Sequence, residues 1–229
     1  MNSEFSESTM LKLLSDTQAE LRDALKALGG KQSDGLVEFY PFYSAAHINR
    51  AVEGYLYLRK SGRVEASKHL IRTAIEATIR LQAVAKKPDL LFRIAFTEFN
   101  EDKKWVRSLQ HSEGARTIQA IDNQWAAFVQ AYRIKYPDHS LKQEELSLRR
   151  AAECAGIDGY YDRHYRLYCR FTHAAFRAST GALSVFESED NRAMTLCALA
   201  AVEALVPLGA PAPNLTSLKE RFPNDDKRA

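Results

Sequence analysis

At 229 residues, with 45% hydrophobic and 27% charged residues, the chain is long enough to bury a substantial core and too apolar for wholesale disorder. A net charge of +3 does not mark a polyanion binder by itself, so any nucleic-acid contact must come from a local cluster. The start, Met1-Asn2-Ser3-Glu4-Phe5-Ser6-Glu7, lacks the basic and apolar regions of a secretory signal.

Met10, Leu13, Leu14, Thr17, Leu21, Ala24, Leu25 and Leu28 recur at three- and four-residue spacing and predict a first helix stopped by Gly29-Gly30. After a turn-rich connector, Pro41 marks the entry to a second helix carrying Ala45, Ile48, Val52, Tyr55 and Leu56, closed by Ser61-Gly62. A third runs from about Val64 to Ala85, with Ser67, Ile71, Ala74, Ile75, Thr78 and Leu81 inward, and Lys86-Lys87-Pro88 ends it. Leu91, Ile94, Ala95, Phe99, Trp105 and Leu109 follow, and the polar run Asn100-Glu101-Asp102-Lys103-Lys104 predicts a break between two shorter helices.

Ile118, Ile121, Trp125, Phe128, Val129 and Tyr132 define another amphipathic helix, ended at Tyr136-Pro137-Asp138. Ser140-x-x-Gln143 has the form of a capping box and predicts a short helix to Cys154. Gly156 and Gly159 bracket the turn into the next helix, and a last one is expected from Ser188 to just before Pro207. The apolar run Ala193 to Ala210 contains Glu203 and Pro207 and is alanine-rich, which suits a soluble core helix better than a membrane span. No period-two alternation stands out.

The expected fold is therefore an all-α multi-helix bundle, one domain over residues 1–210. Residues 1–40 are its N-terminal helix and connector, and the proline-rich tail 211–229 is loosely attached. Helices near 64–85, 159–178 and 188–206 are expected at the centre. Cys154, Cys169 and Cys197 form no Cys-x-x-Cys pair and read as reduced, buried thiols of a cytoplasmic protein.

Chemistry is suggested by one stretch, Gly159 to His173. At helical spacing Arg166, Arg170 and His173 share a face, with Asp162 one turn earlier and Arg177 one turn later. Tyr161, Tyr165, Tyr168, Thr172 and Phe176 form the opposing, inward stripe. Two guanidiniums and an imidazole together are equipped to hold a phosphate and move a proton. On the third helix His69, Arg72, Glu76 and Arg80 also align, Glu76 lying four residues from both arginines. That face reads equally as a solvated ladder of ion pairs or as one that packs on Arg166 and His173, with Glu76 orienting one of them. Asp162, Arg166 and Arg170 are likewise readable as an ordinary salt-bridged ladder.

Metal chemistry is not expected. Glu65-x-x-x-His69 has no matching set on another helix, and the cysteines lack zinc spacing. Neither a phosphate-binding glycine loop nor a GxSxG or GxGxxG motif occurs, so no cofactor is expected either. Glu203 is a solitary carboxylate, assigned to the bundle edge or to a buried arginine such as Arg72.

Arg166-Leu-Tyr-Cys-Arg-Phe-Thr-His173 is similar to the Arg…His motif of the HEPN (higher eukaryotes and prokaryotes nucleotide-binding) domains. The layout, Arg72-Thr-Ala-Ile-Glu76 on one helix before a Tyr-rich helix ending in Arg…His, resembles bacterial families of unknown function with a HEPN-like core, over roughly Ala45 to Val206. The resemblance implies an up-and-down helical core and metal-independent cleavage of RNA, the ribose 2′-OH attacking the adjacent phosphorus to leave a 2′,3′-cyclic phosphate. It implies proton transfer by His173 and charge stabilisation by Arg166, with Arg170, Glu76, Arg72, Asp162 and Arg177 supporting or binding substrate. It further implies a homodimer with a composite site and a toxin or effector role in bacterial defence, under a protein regulator and without a membrane. Two competing readings are a non-catalytic interaction or regulatory module and a nucleotide-binding domain that cleaves nothing. Leu167, where the family usually has a polar residue, and the weak basicity favour the module.

Overall fold

Three- and four-residue spacing of apolar side chains is what this chain turns into structure. A computed structural model describes residues 7–29, 36–109, 114–172 and 187–212, and every regular element among them is helical. The order is α1 (Glu7–Leu28), α2 (Leu36–Lys60), α3 (Val64–Lys86), α4 (Leu90–Ser108), α5 (Gly114–Lys135) and α6 (Leu148–Ala155). Then come one turn of α7 (Asp158–Tyr160), a π-helical turn (Tyr161–Tyr165), α8 (Arg166–Thr172), α9 (Glu187–Leu205) and a 3-10 turn (Val206–Leu208). One buried cluster runs from Leu14 of α1 through α2, α3, α4 and α6 to Ala210.

The centre of the bundle is α3 and α9. Helix α3 packs against α2, α6, α8 and α9, while α9 also carries α1 and α2. Its buried stripe, Ile71, Ala74, Ile75, Thr78, Ile79 and Leu81, is the periodicity expected of it. Where α2 meets α3, a Cβ added at Gly54 would sit 3.0 Å from the Leu70 Cδ1, the free end of a side chain. Helix α9 is buried nearly all round, through Ala193, Met194, Cys197, Ala198, Ala201, Val202 and Leu205. Glu189–Leu208 is also the one stretch among the described residues long and apolar enough to cross a membrane, and over half of its apolar window is covered by the bundle.

Several expectations are corrected. Pro41 lies inside α2 rather than at its entry. The helix starts a turn earlier because a tertiary contact holds that turn: the Val37 N–H donates to the Tyr136 hydroxyl at 3.0 Å, while within the helix the Phe39 ring packs on Phe42 and Tyr43. The run 100–104 does not break the chain, and α4 is continuous. Those residues contain no helix breaker and form its outer face, where Lys103 pairs with Asp122 of α5 at 2.6 Å and Lys104 with Glu145 at 2.6 Å.

Ser140 caps nothing. Residues 136–147 form a strap without regular structure, and α6 begins at Leu148 with Ser147 as its cap, the Ser147 Oγ accepting from the Arg150 N–H at 3.2 Å. Gly156 ends α6 in the left-handed conformation (φ 71°), whereas Gly159 is helical, inside α7. Of the three thiols only Cys197 is fully buried; Cys154 and Cys169 are partly exposed, and all three are free.

Helix α5 fully buries only Tyr132, yet it is joined to α4 by an aromatic seam in which Trp125 meets Phe92 and Phe99 at about 5 Å. The strap that follows is tied down by backbone acceptors. Arg93 reaches the Glu144 and Glu145 carbonyls, and the Leu146 N–H donates to the Thr97 hydroxyl at 2.8 Å in a buried position. Thr97→Val keeps the shape and leaves that N–H without an acceptor, so it should cost about 1–3 kcal/mol. Urea denaturation should show the lowered midpoint, and amides of 144–147 should exchange faster than those of α9.

Candidate functional site

The stretch Gly159 to His173 was expected to be one regular helix; instead its middle turn is π-helical. The Arg166 N–H bonds back to the Tyr161 carbonyl, so one extra residue is accommodated between α7 and α8. The slower winding of a π turn lets residues spaced by four stay on one side. Tyr160, His164 and Tyr168 therefore line up against the core: the His164 ring lies 4.8 Å from that of Tyr160 and is buried, and Tyr168 is fully buried. The predicted inward stripe is corrected accordingly. Tyr168 belongs to it, Tyr161 and Tyr165 are only partly buried, and His164 takes the place left to them.

Two anchors fix this segment to α9. The Tyr160 hydroxyl lies 3.1 Å from the Cys197 Sγ and 3.5 Å from the Ala193 carbonyl. The Tyr168 hydroxyl donates to the Asp190 carboxylate at 2.6 Å, wholly inside the core. Burial pushes both phenols well above the ordinary tyrosine value, with Cys197 adding to the effect on Tyr160 and Asp190 to that on Tyr168, so both stay protonated. A third, more exposed tie joins Arg163 to Glu189 at 3.4 Å.

On the other side stands α3. Arg72 and Glu76 pair as their spacing predicted, Nε to Oε1 at 2.9 Å, and the same guanidinium donates to the Tyr165 hydroxyl at 3.4 Å while lying 5.6 Å from the ring centre. Burial works to lower the Arg72 pKa, but the Glu76 hydrogen bond and charge outweigh it and hold the group above its ordinary value. The Tyr165 phenol is raised by burial first, then by a hydrogen bond with Cys169 and the Glu76 charge. The α3 face thus does pack on the Arg166 helix. It does so through Arg72 and Tyr165, and Glu76 orients Arg72 rather than Arg166.

Arg166 points outward. Its side chain is 68% exposed and meets Asp162 at 3.4 Å, an exposed i,i+4 pair that contributes little. Arg80 pairs with Glu98 of α4 at 3.3 Å and not with Glu76. His69 and Glu203 are exposed, Glu203 in keeping with its expected place at the bundle edge. Arg170 lies on α8, but its side chain and that of Thr172 fall outside the described residues, as do His173, Phe176 and Arg177.

Between α3, α4, the strap and the π turn opens a cleft of about 440 Å³. Arg72, Arg80 and Tyr165 line it together with Glu76, Glu101 and Glu145, so carboxylates outnumber guanidiniums. The sequence reading missed Glu101, Glu145 and Tyr165 as wall residues, because they come from three separate elements. Among the described residues no group of histidine, cysteine and carboxylate side chains is arranged to hold a metal.

The chain belongs to the family of unknown function DUF5677, whose model matches residues 38–192. That span begins in α2 and ends at Arg192, just past Asp190 and Asn191, and takes in the π turn, the Arg72–Glu76 pair and the cleft. Nothing among curated proteins and nothing among solved structures matches the chain.

The Cys197 anchor sets a pH dependence. Burial raises its thiol from 9.0 to about 11, against smaller opposing effects of Thr78 and Tyr160. The folded state therefore keeps this proton where the unfolded chain has lost it, and stability falls as pH rises from about 9 to about 11. Two pH units correspond to about 2–3 kcal/mol. Denaturation midpoints taken between pH 8 and 11 should decline less steeply for Cys197→Ala than for the wild type; equal slopes would remove Cys197 as the cause.

Proposed function

We propose that the chain is a metal-independent endoribonuclease of HEPN type, acting through Arg166 and His173 and assembling as a homodimer. The observation that carries this reading is the presentation of Arg166: the opposite side of its helix is tied to α3 and α9, while its own side chain is 68% exposed. An outward arginine on a helix held from behind suits charge stabilisation on a phosphoryl group. His173 would take or give the proton of the ribose hydroxyl, Arg170 and Arg177 would grip the backbone, and Asp162 would steady Arg166 at 3.4 Å. Such a protein acts in the cytoplasm as a toxin or defence effector, restrained by a protein regulator.

A second reading has its own support. Glu76, Glu101 and Glu145 line the cleft next to Tyr165 and would repel a polyanion entering there, which favours a helical interaction module that cleaves nothing.

Expression of the wild type should slow bacterial growth, and purified protein should cut RNA in the presence of EDTA. His173→Ala should lower the cleavage rate about 10²–10⁴-fold with the fold intact. Arg166→Lys should fail as well, since lysine lacks the planar fork, and Glu76→Gln should be milder, acting through Arg72. Light scattering at tens of micromolar should give a dimer, a concentration at which even modest interfaces associate. A strict monomer, or intact RNA with and without divalent metal, would replace this reading with the interaction module.

A further inference from the structure

The π turn and its contact with α3 have a consequence for the arginine face. Helical residues are spaced by about 100°, so the one residue absorbed at Tyr161–Tyr165 rotates everything after it by about that angle relative to an uninterrupted α-helix. With the turn in place, Tyr165 meets Arg72, Tyr168 meets Asp190, and Arg166 faces solvent. Without it, Tyr165 and Tyr168 swing off their partners and Arg166 turns toward the bundle. The π turn therefore decides which face of α8 is presented.

Its two downstream anchors differ in kind. Tyr168 and Asp190 are sealed in the core and cannot be loosened without unfolding. The Arg72–Tyr165 contact acts on the last residue of the π turn itself, is only partly buried, and opens on the cleft. Arg72 is in turn held by Glu76 through its Nε, which leaves the fork aimed at the Tyr165 hydroxyl.

We infer that Arg72 is a positioning residue which, through the Tyr165 hydroxyl, holds the π turn in the register that turns Arg166 outward. As a statement about catalysis this rests on the ribonuclease reading; as a statement about the helix it does not. Arg72 acts through Tyr165, and its loss frees the last residue of the turn, which then opens more often while Tyr168 stays on Asp190.

The test is amide hydrogen exchange on the full-length chain, read at Arg166 and Leu167, with α9 amides as the internal control. Tyr165→Phe keeps the ring and removes the acceptor, and Arg72→Ala removes the donor. Each should speed exchange at Arg166 about tenfold, leaving Ala198 to Val202 unchanged. The two effects should not multiply in the double variant, because the contact they share is broken once, although Tyr165→Phe also loses the Cys169 bond and Arg72→Ala the Glu76 pair. Arg72→Lys, which can keep Glu76 but loses the fork, should not rescue. Where the wild type cuts RNA, both variants should lower kcat about tenfold with KM unchanged. Unchanged Arg166 exchange in both single variants, or effects that multiply in the double one, would overturn the inference even if RNA is cut. Faster, non-multiplying exchange with no RNA cleavage by the wild type would uphold it and remove the ribonuclease reading instead.

Discussion

A carboxylate and an amide stand at the start of the most apolar helix of this bundle, and both are fully buried. Moving such groups out of water is costly unless partners are supplied, so the core around Asp190 and Asn191 must contain donors at fixed points. Tyr168 supplies one from α8 and Tyr55 the other from α2, at 2.6 Å and 2.7 Å. These two bonds set the placement of α2 and α8 about α9. Apolar side chains alone would let the helices slide; a hydroxyl that must reach one oxygen does not.

The π turn follows from this constraint. Tyr160 and Tyr168 are eight residues apart and both must reach α9, one at Cys197 and the other at Asp190. In a regular α-helix two such positions drift around the axis by about 80°, at about 100° per residue. Slower winding at Tyr161–Tyr165 removes the drift, draws His164 inward between them, and leaves Tyr165 at the border with α3. Arg166 is then the first residue beyond the turn, and its exposure is a consequence of where its neighbours are bound.

Helix α3 mediates between core and surface. Its inner stripe is ordinary packing, while its outer stripe divides its charges among three neighbours: Arg72 to Glu76 and Tyr165, and Arg80 to Glu98 on α4. Burial raises the Glu98 carboxyl, with Glu101 and Asp102 adding to it against the pull of Arg80, and the cleft beside it mixes Glu76, Glu101 and Glu145 with Arg72 and Arg80. The cleft is consequently bipolar rather than basic.

The amino-acid sequence by itself determined the helical class, the limits of α1, α3 and α9 to within a residue or two at most ends, and the Arg72–Glu76 pair, because each depends on spacing within one helix. It also placed Asp162 one turn from Arg166, where the two side chains meet. What it did not determine were features that need a second element. The polar run of α4 finds Asp122 and Glu145 on other elements, the early start of α2 uses the Tyr136 hydroxyl, and the strap 136–147 is held by Arg93 and Thr97. The π turn is the clearest instance. No residue between Tyr161 and Tyr165 demands it locally, and a regular helix satisfies the same apolar pattern. Only the fixed positions of Cys197, Asp190 and Arg72 around that segment decide its winding, because hydrogen bonds to fixed partners depend on direction and distance, and periodicity along one chain encodes neither.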